Sequence, residues 1–189
     1  LALAAAAAPS AAFAGCGGPG FGIDWTGCNK QKLMLGDTDF GASLFNEANL
    51  GGTDFARSNM ERSSFARAEL SRASFRDAKL ARSNFSKATC NRTTFDGADL
   101  QGSNLSKGDF GRATFAGANL AGADLSKADF GRAHFEGANL EGVTFLLGNV
   151  SRAIFKGANL TGADFTNAYT YRANLPGADL SQSTGLTQV

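Results

Sequence analysis

The chain has 189 residues, 18 basic and 17 acidic, with one histidine and a net charge of +1. That balance excludes a partner recruited by the overall field, so any electrostatic partner must read a local patch. The 24 glycines, 16 phenylalanines and single tryptophan, beside abundant alanine, signal an internal repeat, which decides the fold before local propensity does.

Residues 1–14, LALAAAAAPSAAFA, are small, apolar and uncharged, and too few to span a bilayer. They read as the remnant of a secretory signal, with Ala12-Phe13-Ala14 as an A-x-A cleavage site and the basic leading segment upstream of Leu1. Export to a periplasmic or extracellular space is expected, with no transmembrane segment in the mature chain. Residues 15–32 are expected to form an N-terminal cap, with Phe21, Ile23 and Trp25 as a hydrophobic plug. A disulfide between Cys16 and Cys28 would brace that small segment. The alternative is a lipoprotein, because Phe13-Ala14-Gly15-Cys16 also resembles a bacterial lipobox in which Cys16 is acylated. Cys90 falls on a core position of the repeat and reads as a small, inert hydrophobe.

Residues 33–187 carry the repeat. Every fifth residue from Leu35 to Leu180 is Leu, Phe, Met, Cys or Val, with Thr170 the one exception. Two places before each, from Thr38 to Ala178, stands Ala, Ser, Thr or Gly, with Val143 the exception. Five residues match neither the helical nor the strand period. A chain bending through a right angle every five residues satisfies the pattern and returns to its first face after twenty. The period of twenty is present: Phe55, Phe75, Phe95, Phe115, Phe135 and Phe155 form one series, and Leu80, Leu100, Leu120, Leu140, Leu160 and Leu180 another. Coils at the ordinary strand spacing of about 4.8 Å would stack like upon like. Between seven and eight coils are expected.

The frame A-[DN]-[LF]-x-x, as in Ala118-Asn119-Leu120 and Ala123-Asp124-Leu125, resembles that of the pentapeptide repeat proteins over about four-fifths of the chain. The resemblance implies an all-β fold, a right-handed quadrilateral parallel β-helix. It also implies a bacterial periplasmic or thylakoid-lumen setting, mostly without an assigned biochemical role.

A core set by the frame leaves function to the outward positions. The residues two after each large one are mostly glycine on two faces, as suits a turn of positive φ. On a third face they are Arg67, Lys87, Lys107 and Lys127; on the fourth, Arg72, Arg92, Arg112, Arg132, Arg152 and Arg172. Stacked one coil apart, these arginines form a candidate basic strip, with Glu69, Asp109 and Asp129 as nearby counter-charges. The bland reading is a solvated ladder that pairs locally and blocks lateral aggregation. Leu146, Leu147, Ile154, Tyr169 and Tyr171 form a candidate apolar patch towards the C-terminal end. Its alternative is a distorted coil in which some of these turn inward.

His134 is alone, the carboxylates are dispersed and no Cys-x-x-Cys occurs, so no catalytic or metal constellation and no cofactor is expected. The primary expectation is a non-catalytic exported scaffold that binds a protein or an anionic macromolecule: a polyanionic polysaccharide, phospholipid headgroups or an acidic protein. Nucleic acid is disfavoured, because no aromatic residues interleave with the strip. The C-terminus, LSQSTGLTQV, brings no plug, so an end-to-end homodimer through the last coil is a further expectation. The resemblance also implies an alternative, a DNA mimic that binds and protects a topoisomerase, which the basic columns and the export signal oppose. A third reading, an enzyme site in the cap built from Asp24, Trp25 and Asn29, lacks the groups to complete a mechanism.

Overall fold

The computed structural model describes residues 16–186, so the signal-like segment 1–14 and Thr187 lie outside the described residues. From Phe21 onward the chain makes a two-residue turn every five residues, and between turns one residue pairs with its counterpart twenty along. All these pairs are isolated parallel bridges, from Asp24↔Leu44 to Asp164↔Thr184. A bend every five residues leaves room for one paired residue per side, so the solenoid is held by columns of single bridges. Four columns run its length, represented in one coil by Asn104, Asp109, Thr114 and Asn119.

The pentad 109–113 shows how every backbone donor is used. Asp109 N–H donates to Ala88 O (2.9 Å), Phe110 N–H to Asp129 O (2.7 Å) and Arg112 N–H to Gly131 O (3.0 Å). Ala113 N–H closes the turn on Phe110 O (3.0 Å), and Gly111 N–H is taken by the Asp109 side chain, Oδ1 at 3.1 Å. The same side-chain cap recurs from Asp24 to Asp179. This is why Asp or Asn so often precedes the large residue: its oxygen accepts the one amide that no neighbouring coil reaches. Where the small inward residue is Ser or Thr, its hydroxyl donates to a carbonyl of the preceding coil, as Ser63 Oγ does to Phe40 O and Thr93 Oγ1 to Leu70 O.

The large residues are buried from Phe40 to Phe165, and their rings stack coil upon coil. Phe55, Phe75, Phe95, Phe115, Phe135 and Phe155 form one continuous column, with centroids 4.9–5.2 Å apart. A second phenylalanine in each coil changes place. It stands at Phe45, Phe65 and Phe85, moves one pentad on to Phe110 and Phe130, and returns at Phe145 and Phe165. Leu105 and Leu125, or Leu70, Cys90 and Val150, fill the position it leaves. One ring across the two positions is thereby kept in each coil while its place shifts. Gly108 and Gly148 replace the usual alanine at the two crossovers. A Cβ on Gly108 would lie 2.5 Å from Phe110 Cε2, and one on Gly148 would lie 2.9 Å from Phe145 O.

The solenoid begins earlier than the repeat frame predicts. Residues 15–32, expected as a separate cap, are from Phe21 on the first coil itself, with Asp24 and Asn29 bridged to Leu44 and Asn49. Trp25 takes a large inward position at 1% exposure, against Phe40 and Phe45. Cys28 takes a small inward position. Phe21 is 70% exposed and plugs nothing; its ring lies against Gly41. Lys30 stands where the next large apolar residue is due, which hid the frame from the sequence. It lies over the Trp25 ring, 4.9 Å from its centroid, and donates to Gly17 O, which also accepts from Trp25 Nε1. A disulfide joins Cys16 to Cys28, with Cα atoms 5.9 Å apart, and holds that short strap against the first coil.

Candidate functional site

The arginine series lies along one groove of about 1050 Å³. Its wall is Lys32, Arg72, Arg92, Arg112, Arg132 and Arg152, and its floor includes Asn49, Glu69, Asp109, Asp129 and Asn149. The sequence reading missed Lys32, although it stands forty residues before Arg72 in the same column. Asn91, which donates to Asp109 Oδ2 at 2.7 Å, was missed as well. Arg172 continues the column beyond the groove and stacks on Tyr171, 5.1 Å from the ring centroid. Lys87, Lys107 and Lys127 occupy the opposite corner of the same face, across the column of Thr89, Asp109 and Asp129, and outside the groove lining.

The expected counter-charges cap turns and form no salt bridge with the arginine column. Glu69 accepts from Ser71 N–H (2.8 Å), Asp109 from Gly111 N–H, and Asp129 from Gly131 N–H (2.7 Å) and Asn149 Nδ2 (3.0 Å). Among the described residues, the salt bridges are Arg57–Asp37, Arg67–Glu47, Arg76–Asp96 and His134–Glu136, and none includes a member of the arginine column. The contrast with Arg57 is instructive. It pairs with Asp37 through Nε and Nη2 at 2.8 and 2.6 Å, and that bond holds the Asp37 carboxyl below its usual range.

The backbone gives the column a cost. Every residue two after a large one has positive φ, and the six arginines lie between 57° and 61°. Glycine occupies that place at Gly97, Gly117, Gly137 and Gly157. A residue with Cβ is disfavoured there by about 1 kcal/mol. Fourteen of the 18 basic residues nevertheless stand at such positions.

The predicted apolar patch is only partly assembled. Tyr169 is 61% exposed at the end of the groove, its ring 6.4 Å from that of Tyr171, which is 46% exposed. Leu147, 53% exposed, heads the lysine corner, while Leu146 is half-buried. Ile154 lies round the corner on the next face, half-buried and bridged to His134 and Asn174. His134 stands on that wall with Nδ1 3.2 Å from Glu136 Oε1. Cys90 is fully buried, and burial pushes its thiol pKa well up, so it is chemically quiet in the folded chain. Among the described residues no helix is long and apolar enough to cross a membrane, and no three His, Cys, Asp or Glu group as a metal site.

Two family descriptions match: "Pentapeptide repeat region" over residues 36–105, and "Pentapeptide repeats (8 copies)" over 108–145 and 149–183. Among solved structures, the chain is similar to HetL, a pentapeptide repeat protein involved in heterocyst differentiation regulation in the cyanobacterium Nostoc sp. strain PCC 7120. Identity there is 24%, over 86% of this chain and 83% of that one, with a TM-score of 0.51. It is also similar to QnrB1, a plasmid-mediated fluoroquinolone resistance protein, at 20% identity over 87% and 91% of the two chains and a TM-score of 0.45. A pentapeptide repeat protein of the Arabidopsis thaliana thylakoid lumen matches at 27% identity over 74% and 69%, with a TM-score of 0.20. No curated protein matches the chain.

Proposed function

The chain belongs to the pentapeptide repeat family, and from that premise we propose that it is a non-catalytic, exported scaffold whose basic groove binds an anionic macromolecule. The family fold supplies the finer description of the coil, a right-handed quadrilateral β-helix. One observation carries the functional reading: among the described residues the six arginines of the column form no salt bridge, and they stand where the backbone prefers glycine. Neither the core nor local pairing accounts for them. Tyr169 and Tyr171 extend the contact surface at the C-terminal end of the column.

Export is supported by the A-x-A segment before Gly15 and by the Cys16–Cys28 bond, which suits an oxidising compartment and leaves Cys16 no thiol to acylate. Association of two copies through the last coil is a secondary proposal, supported by the half-buried Leu175 and Leu180 there. A topoisomerase-binding DNA mimic would need a rod of negative charge, and the arginine-lined groove opposes that reading. The test is crosslinked capture from a native envelope fraction, comparing the wild-type chain with Arg112, Arg132 and Arg152 all changed to Glu. Loss of one specific partner in the variant, and its elution from wild type by salt, is the expected result. Identical capture by both proteins refutes the proposal.

A further inference from the structure

We infer that the groove takes a linear acidic polysaccharide with one carboxylate per sugar, laid along the solenoid axis with about one sugar per coil. This rests on the groove being the binding surface proposed above, and it is the groove's mixed charge that selects the class. Six basic side chains from Lys32 to Arg152 share the groove with Glu69, Asp109 and Asp129. A nucleic-acid strand, with a phosphate about every 3.4 Å of duplex axis, would press some of its charges against those carboxylates. A sugar chain answers both sets of groups: its carboxylates accept from guanidiniums, and its hydroxyls donate to the acidic floor.

The floor has capacity for those donors. Asp109 accepts from Gly111 N–H and Asn91 Nδ2, and Asp129 from Gly131 N–H and Asn149 Nδ2. A carboxylate offers about four lone-pair sites, so two accepted bonds leave each of these groove-lining carboxylates with spare acceptor capacity. Spacing agrees as well. The arginines recur once per coil, at a rise of about 4.8 Å, close to the length of one pyranose in an extended 1,4-linked chain. At the end of the groove, Tyr169 presents a ring 61% exposed. Such a face packs against the C–H side of a sugar ring, a contact that a lipid headgroup would leave unused.

Calorimetric titration with galacturonate oligomers, from two to six sugars, tests the assignment. Affinity is expected to rise with length up to about six sugars, the number of coil rises from Lys32 to Arg152. The fully methyl-esterified hexamer should not bind. Arg112→Gln with Arg132→Gln should weaken the acidic hexamer by about tenfold or more, and Tyr169→Ala by about threefold, with melting midpoints unchanged. The assignment is overturned if the esterified and acidic hexamers behave alike. It is equally overturned if a single-stranded DNA oligomer or phosphatidylglycerol vesicles bind more tightly than the acidic hexamer. Should no galacturonate bind while envelope capture still depends on Arg112, Arg132 and Arg152, the sugar assignment falls and the groove reading stands. Should capture be indifferent to those arginines too, both fall.

Discussion

At the scale of single residues, the outward wall holds two kinds of position. Asp109, Asn119 and Asp129 look like surface charge and polarity in the sequence, yet each satisfies an amide two residues on. Arg112 does the reverse: its guanidinium caps no turn and forms no salt bridge among the described residues, and its backbone holds φ at 59°. Changing Arg112 to Gly is therefore expected to leave stability unchanged or raise it by up to about 1 kcal/mol, since relief of the left-handed backbone offsets the extra freedom of glycine when unfolded. Denaturant melts measure this. Destabilisation beyond about 1 kcal/mol would show that the guanidinium is structural and remove the main support for a binding role. The column of arginines was legible in the sequence because it recurs every twenty. Its energetic cost was legible only in part: the glycines on two faces pointed to positive φ there, but the letters do not show that the arginines share it, nor that Asp109 and Asp129 serve as caps.

At the scale of the coil, the frame of five was readable from Leu35 to Leu180 because every core position repeats the same demand. The first coil escaped because Lys30 interrupts the series and Trp25 exceeds its usual volume. The exchange of phenylalanine between Phe85 and Phe110 is a subtler feature, visible only once the two positions are known to be adjacent in one coil. It makes a prediction about pairs. Phe110→Leu alone should cost about 1–2 kcal/mol by leaving space, and Leu105→Phe alone about 1–3 kcal/mol by overfilling. The double variant should recover a large part of both losses, because the coil again holds one ring across the two positions. Equilibrium unfolding of the four proteins measures the coupling, and strict additivity would show that the positions do not share volume.

For the whole molecule, stability is a sum over neighbouring coils, and the ends are its weakest members. The carboxylates whose pKa is clearly depressed by a turn cap lie at those ends. Asp24 in the first coil is held low by hydrogen bonds from the Thr26 side chain and then its amide. Asp164 and Asp179, in the last two coils, are held low in the same order by Thr166 and Ser181. A depressed folded-state pKa contributes stability above the unfolded value, and that contribution is lost as pH falls through the folded value. Below about pH 4 the terminal coils should therefore loosen before the centre. Hydrogen exchange at pH 3 and pH 7 would show it as protection lost first near Asp24 and Asp179; uniform loss along the solenoid would refute it.

The bridges join each residue to its counterpart twenty along, whereas hydrophobic burial alone asks for a large residue every five, with the choice of ring or aliphatic chain adding the period of twenty. In genetic terms these are two reading rules of different strictness. Losing or gaining one pentad of codons would preserve the buried frame and carry every later surface residue round to the neighbouring face. Between Arg72 and Arg172 no such slip has occurred. A change of length within the strip keeps it straight only when it comes as a whole coil of twenty residues.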